Sequence, residues 1–265
     1  MTKSSGPFFA GVDAGSRTVK IVVVDGRGRR IAVGLVDQGL KQNEIARRLF
    51  SRILRQGDIL RERVVRVIAT GYGREGIAFA DRTITEITCH AEGVRHLVPA
   101  AATVVDIGGQ DSKLIRIGRN GRVRDFVMND RCAAGTGRFL EIVASRLERT
   151  PADLGRLAKR AGRATPISHM CAVFAETEIV GLLASGQAPE EIAAGVQRAV
   201  AARIAAMAGR RVEEPVVLTG GVALIPGMAQ ALEIALGCPV ATAPDPQLTG
   251  ALGAALLARE PDKGR

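Results

Sequence analysis

The sequence predicts an α/β fold made of two related halves. Three observations carry that expectation. Short apolar runs alternate with longer stretches of helical periodicity. The segments DAGSRTVK (13–20) and DIGGQDSK (106–113) share Asp at the first place, Gly at the third and Lys at the eighth. The 265 residues are enough for two lobes sharing a core or for one large domain. Each matched segment follows an apolar strand and leads into another, about 93 residues apart, which marks an internal duplication.

Taken in order, the apolar runs Phe8 to Val12, Val19 to Val24 and Ile31 to Val36 predict three strands. Gly26-Arg27-Gly28 predicts the turn between the second and the third. A helix is expected from Asn43 to Gln56, with Ile45, Leu49, Ile53 and Leu54 on its buried face. A strand from Arg63 to Ala69 ends at Thr70-Gly71-Tyr72-Gly73, and Ile87 to Leu97 predicts a helix stopping before Pro99. The pattern then restarts: AATVVDIGGQDSKLIRIGRNGRVRDFVMND (101–130) alternates three strands with two turns. Helices follow at Gly135 to Arg149, Ala152 to Ala161, Ala172 to Ser185 and Glu190 to Gly209. Pro189 opens the last of these, with Glu190 and Glu191 in its first turn. Pro215 to Thr219 is a strand running into Gly220-Gly221, and Gln247 to Ala258 is a terminal helix.

Composition narrows the function. Hydrophobic residues at 46% and charged residues at 24% are ordinary for a globular chain and exclude a disordered one. No apolar run approaches the ~20 residues of a membrane helix. The apolar stretch before Asp13 is too short for a signal-peptide core, so a cytoplasmic location is expected. The net charge is +10, yet 31 of the 37 basic residues are arginine and they are scattered. With seven Phe, one Tyr and no Trp, stacking platforms are missing, which argues against a nucleic-acid binder. An anionic small ligand or an acidic protein partner remains for the charge. In a cytoplasmic chain the four cysteines (Cys89, Cys132, Cys171, Cys238) are not expected to form disulfides, and without a C-x-x-C pair zinc is not signalled either.

The matched turns carry the chemistry. A tight turn between antiparallel strands directs backbone N–H groups into one place, and glycine lets the backbone approach a phosphate closely. Ser16, Thr18 and Lys20 add donors to the first turn. An Asp beside each turn suits Mg²⁺, its waters or an attacking water. TGGVALIPG (219–227) is a third glycine-rich turn, between strand and helix, where a nucleoside would rest. One Asp-x-Gly turn alone is an ordinary hairpin. Two matched copies plus the Gly-Gly turn resemble the sugar kinase/actin/Hsp70 ATPase superfamily, with phosphate-1, phosphate-2 and adenosine motifs in that order. The resemblance implies an actin-like ATPase fold: two ribonuclease-H-like lobes with the nucleotide cleft between them. The lobes are expected at 1–98, with 247–265 packing back on it, and at 99–246.

The cysteines sharpen the reading. NDRCAAGTGRFLE (129–141) puts Cys132 just before a helix start, and PISHMCAVFAETEI (166–179) does the same for Cys171. A positive helix end stabilises a thiolate or an anionic cluster. Taken singly, each cysteine reads as a small buried hydrophobe. Two cysteines cannot complete the four thiolates of a [4Fe–4S] site, but a two-fold dimer can.

Over nearly its whole length the chain resembles the activator component of 2-hydroxyacyl-CoA dehydratases, and more broadly the ATPase subunits of benzoyl-CoA reductases. The match rests on GVDAGSRTVK (11–20), ATGYGR (69–74), ITEITCHA (84–91), DIGGQDSK, NDRCAAGTGRFLE, CAVFAETEI (171–179), TGGVALIPG and DPQLTGALGAALLA (245–258). It implies a homodimer sharing one [4Fe–4S] cluster, with Cys132 and Cys171 as ligands. It also implies ATP and Mg²⁺, with ATP used to send a low-potential electron to a partner CoA-ester dehydratase or reductase. Ferredoxin or flavodoxin is the implied electron donor, and neither nucleic acid nor membrane is a partner. Asp13, Asp106 and Gln110 are the expected catalytic residues. Gly15, Ser16, Arg17, Thr18, Lys20, Gly108, Gly109, Gly220, Gly221, Val222 and Gln247 are the expected nucleotide contacts.

Two other classes compete. A sugar or N-acetylsugar kinase of the same superfamily needs a sugar pocket with a catalytic Asp, and gains nothing from Cys132 and Cys171. A nucleotide-gated binding module would have no redox role. His169 is either a donor to a cluster sulfur or a packing residue. No role follows for Cys89, and Cys238 reads as a buried free thiol.

Overall fold

A computed structural model describes residues 6–168, 171–209 and 212–261 of the chain. Its first strands are β1 (Phe8–Ala14), β2 (Thr18–Asp25) and β3 (Arg30–Asp37). β1 and β2 are buried along most of their length, which is why they read as continuous apolar runs rather than alternating ones. β3 lies at the sheet edge and alternates between exposed and half-buried positions. Asp25 ties the turn between β2 and β3: the backbone amides of Arg27 and Arg29 donate to Oδ1, each at 2.9 Å, and Arg29 Nε donates to Oδ2 at 2.8 Å. Burial pushes this carboxyl up, but the amide and guanidinium donors outweigh it and hold the pKa below the ordinary value.

The amphipathic helix α1 (Gln42–Gln56) buries Ala46, Leu49, Phe50, Ile53 and Leu54. Ile45, expected on that face, is only half-buried. Phe50 stacks on Phe79 instead, with ring centroids 5.3 Å apart. β4 (Val64–Thr70), the two-residue β5 (Arg82–Thr83) and α2 (Glu86–Leu97) follow. The first sheet runs β3-β2-β1-β4-β5, with β4 parallel to β1 and β5 parallel to β4.

The next strands are β6 (Thr103–Ile107), β7 (Ser112–Ile117) and β8 (Val123–Asn129). Helices α3 (Gly137–Arg146), α4 (Pro151–Ala158), α5 (Ala172–Ala184) and α6 (Pro189–Ala208) come next. Then come β9 (Val216–Thr219), α7 (Met228–Leu236) and β10 (Val240–Thr242). The second sheet runs β8-β7-β6-β9-β10. That is the first sheet's order with each strand replaced by its counterpart, so the duplication extends from the two turns to the whole sheet.

Helix ends correct the sequence reading in places. α3 starts two residues later than expected because Gly135 takes φ +81, which no helical residue adopts. It ends at Arg146, and Glu148 at φ 52 closes that end. α4 has a capping box, with Thr150 and Asp153 each accepting from the other's backbone amide, and stops at Ala158.

α8 (Thr249–Ala258) closes the chain. By compactness the chain divides into two units: Met1–Pro99 with Gly118–Val123 and Gln247–Arg265, and Ala100–Ile117 with Arg124–Pro246. In the first unit, α1 covers one face of the sheet around Val12, Val19 and Ile53. α8 covers Val22 and Val24, and Ile68 packs with Cys89 of α2 and Ala254 of α8. α8 is buried almost all round, consistent with its lack of a polar face. α2 and α8 meet backbone to backbone: a methyl on Gly253 would lie 1.7 Å from the Cys89 carbonyl oxygen, and one on Gly93 2.0 Å from that of Thr249. In the second unit, Ile107 and Leu114 of the sheet pack with Phe139 of α3, Ile179 of α5, Val196 of α6 and Leu232 of α7. No helix among the described residues is long and apolar enough to cross a membrane.

Candidate functional site

The shared Asp-to-Lys spacing becomes a cross-strand pair in both sheets. In the first hairpin Asp13 and Lys20 stand opposite each other on β1 and β2. Lys20 Nζ lies 3.1 Å from Asp13 Oδ2, and both side chains are largely buried. The turn between them is Gly15-Ser16-Arg17, closed by Gly15 N–H donating to the Thr18 carbonyl at 3.1 Å. The Gly15 and Arg17 carbonyls accept from the side chain and the backbone amide of Gln38, at 3.2 and 2.8 Å. Those bonds hold the turn from one side. Ser16 and Thr18 are half-buried and Arg17 is exposed, so hydroxyls, an ammonium and a guanidinium surround this turn.

Asp13 itself is buried. Its Oδ1 faces Gly71, where the backbone has φ +88 and a methyl group would lie 2.5 Å from that oxygen. Among the described residues, its ion-pair partner is Lys20, at Oδ2.

The second hairpin repeats the geometry with more contacts. Asp106 and Lys113 stand opposite each other on β6 and β7. Lys113, only 2% exposed, reaches Asp106 Oδ2 at 3.3 Å and Asp111 Oδ2 at 2.8 Å. Thr219, at the end of β9, donates from its hydroxyl to Asp106 Oδ1 at 2.8 Å. Both oxygens of Asp106 therefore have protein partners, and its orientation is set from two strands. Gly108 and Gly109 are half-buried and Gln110 is exposed at the tip of the turn.

The carbonyls of Gly108 and Gly109 accept from the first amides of α3, Gly137 N at 2.9 Å and Arg138 N at 2.7 Å. The positive end of α3 is thus occupied by the second turn. Cys132 is not at that end: it sits four residues before Thr136, the residue that caps α3. Its loop is held by Asn129, whose amide donates to the carbonyls of Cys132 and Ala134, both at 2.9 Å. Cys171, by contrast, is the N-cap residue of α5, as the sequence reading expects.

The Gly-Gly turn follows β9. Gly220 is buried and Gly221 exposed, and Gly220 N–H donates to the Pro246 carbonyl at 2.9 Å. The Val222 side chain belongs to the hydrophobic core of its unit, so only its backbone is left for a ligand. Gln247 is half-buried and lies outside α8, which begins at Thr249 rather than at Gln247.

Exposure divides the four thiols. Cys132 and Cys171 are exposed, Cys89 is buried and Cys238 is half-buried, not fully buried as expected. Burial pushes the Cys89 thiol up to about 12, and it pushes Cys238 up as well. Next to Cys171, Val173, Phe174 and Val180 of α5 face outward around the exposed Thr177, with Phe174 61% exposed. Among the described residues no cluster of three or more His, Cys, Asp or Glu side chains is arranged around a metal position. His169 and Met170 lie outside the described residues.

The model of the BadF/BadG/BcrA/BcrD ATPase family matches residues 10–258. The chain belongs to this family. Its relatives include the activator of lactoyl-CoA dehydratase of Anaerotignum propionicum, 43% identical over 96% of this chain and 98% of that protein. A crystal structure of (R)-2-hydroxyglutaryl-CoA dehydratase component A of Acidaminococcus fermentans is similar, with a TM-score of 0.90 and 40% identity over 96% of this chain and 98% of that one. So is the activator of the 2-hydroxyisocaproyl-CoA dehydratase of Clostridium difficile with bound ADPNP, with a TM-score of 0.89 and 36% identity over 95% of this chain and 94% of that one. As a member of the BadF/BadG/BcrA/BcrD ATPase family, the chain is an ATPase with the two-lobed actin-like fold.

Sequence reasoning missed several residues that shape this ATPase's hairpins. Asp111 and Thr219 complete the second Asp–Lys pair. Asp111 stands inside the quoted motif and was visible as a second acid near Lys113. Thr219 is 113 residues from Asp106, and only the β6–β9 pairing brings them together. His90 was also missed; it is buried, with Nδ1 3.0 Å from the Thr249 hydroxyl.

Proposed function

We propose that this ATPase is the activator of a 2-hydroxyacyl-CoA dehydratase, or of a related benzoyl-CoA reductase-type enzyme, to which it delivers a low-potential electron. The observation that carries the reading is the pair of exposed thiols, Cys132 and Cys171, in the same unit as the second phosphate hairpin. Relatives matching nearly the whole chain bear activator names. A sugar kinase has no use for the two thiols.

The donor set fits a [4Fe–4S] cluster shared by two copies of the chain. Each copy offers two exposed thiols, four thiolates are needed, and the apolar patch on α5 beside Cys171 suits a second copy. Cys132 and Cys171 would hold the group, which when bound supplies a one-electron carrier; ferredoxin or flavodoxin would refill it. Cys89, buried with a raised pKa, is unsuited to that task.

The remaining roles belong to nucleotide handling. Ser16, Thr18 and Lys20 serve phosphate oxygens at the first hairpin, with Gly15 allowing close approach and Arg17 adding charge from the exposed side. Gly108 and Gly109 serve them at the second, where the exposed Gln110 helps to arrange metal and water. Gly220, Gly221, the backbone of Val222 and Gln247 serve the nucleoside. The two aspartates divide the work between them. Asp106, held through both oxygens, orients Lys113 and Thr219. Asp13, held among the described residues through Oδ2, keeps Oδ1 for Mg²⁺, its waters or the attacking water.

Partner-free ATPase turnover of Asp13→Asn and Asp106→Asn tests this division. Asp13→Asn is expected to lose at least ~100-fold in kcat, while affinity for a non-hydrolysable ATP analogue changes less than about fivefold. Asp106→Asn also loses activity, through weakened phosphate binding as well as turnover. Unchanged turnover in both variants removes the hairpin aspartates from the reaction.

A further inference from the structure

The carboxylate of an aspartate turns about a soft torsion, so its surroundings decide where each oxygen points. Asp13 lies in a slot whose walls come from three elements. On the Oδ1 side is the Gly71 backbone just after β4. Near Oδ2 is Gly250 at the start of α8, and His90 of α2 borders the same glycine. A methyl group on Gly250 would lie 3.4 Å from Asp13 Oδ2, 3.1 Å from His90 Nε2 and 3.4 Å from His90 Cε1. The imidazole edge and the carboxylate therefore both border the space that a side chain on Gly250 would fill. At its other nitrogen the imidazole is pinned: Nδ1 lies 3.0 Å from the hydroxyl of Thr249, a fully buried residue at the start of α8.

We infer that His90 is a positioning residue for Asp13. Thr249 fixes the ring, and the ring and Gly250 together close the Oδ2 side of the slot. With that side closed and Lys20 bound to Oδ2, Oδ1 has one direction in which to act. The inference rests on the reading that Asp13 works in ATP hydrolysis through Oδ1. Displacing a reacting group by about 1 Å costs on the order of 100-fold in rate. A partial loosening of the slot therefore shows in turnover before it shows in nucleotide affinity.

The test is steady-state ATPase kinetics on the intact chain, with kcat referred to sites titrated by a non-hydrolysable ATP analogue, so that unfolded molecules do not count. His90→Ala is expected to lower kcat about tenfold and leave KM within about threefold. Thr249→Val frees the ring and lowers kcat by about threefold or more, whereas Thr249→Ser keeps the hydroxyl and restores it. The double variant His90→Ala/Thr249→Val is no slower than His90→Ala alone, because both substitutions act on one ring. Asp13→Asn is the control. If Asp13→Asn is inactive while His90→Ala, or Thr249→Val should His90→Ala fail to fold, turns over within twofold of the unsubstituted protein, the inference about His90 is overturned. If Asp13→Asn turns over normally, the reading of Asp13 itself fails.

Discussion

Two aspartates at matching places in two copies of one hairpin have different surroundings. Asp106 gives one oxygen to Thr219 and the other to Lys113, which Asp111 also holds. Asp13 gives one oxygen to Lys20 and turns the other to the glycine backbone after β4. A duplicated motif has thus become one well-anchored carboxylate and one with an oxygen to spare. The thiols differ by burial in the same way. In cluster-free protein at pH 8, iodoacetamide is expected to modify Cys132 and Cys171 quickly, Cys238 slowly and Cys89 not at all, as peptide mass mapping would read. Rapid labelling of Cys89 would contradict its burial and its raised pKa. Asp13, Lys20, Asp106 and Lys113 were legible because their spacing repeats along the chain. His90 was not: its partner Thr249 is 159 residues away, and no local pattern marks a histidine whose neighbours come from another helix.

At the level of elements, the strands were the most legible part, because runs such as Ile21 to Val24 are buried on both faces and leave little ambiguity. β5 and β10 escaped because two or three residues carry no periodicity. The start of α3 was misplaced because Gly135, inside an apparently helical stretch, takes a left-handed backbone. That correction changes the local electrostatics: the amides expected near Cys132 are bonded to Gly108 and Gly109. The α2–α8 crossing is the tightest contact in the first unit, and the sequence shows it only as scattered glycines. Replacing Gly253 by Ala drives a methyl into the Cys89 carbonyl, which has no flexible side chain to yield. The expected cost is about 3 kcal/mol, a fall in melting temperature of roughly 6–12 °C that calorimetry would detect. A melting temperature within a degree or two of the unsubstituted protein would show that the helices separate easily.

The molecule as a whole is two units whose sheets share one strand order. That repetition was visible in eight residues of each copy, and it extends through five strands. The second unit carries two exposed thiols, with an apolar patch on α5 beside one of them. Sequence could nominate Cys132 and Cys171 through family resemblance, yet it could not tell an exposed thiol from a buried one. The net charge of +10, mostly arginine, suits phosphates and an acidic protein partner better than nucleic acid.

On the proposed function, Cys132 and Cys171 of two chains together hold one iron–sulfur cluster on an ATPase. Iron analysis and sizing of protein purified without oxygen test it most directly, alongside Cys132→Ser and Cys171→Ser. The expected result is a brown dimer with about four irons per two chains, and loss of colour in either variant. A colourless protein after careful anaerobic reconstitution, or a full iron complement in either serine variant, would contradict it.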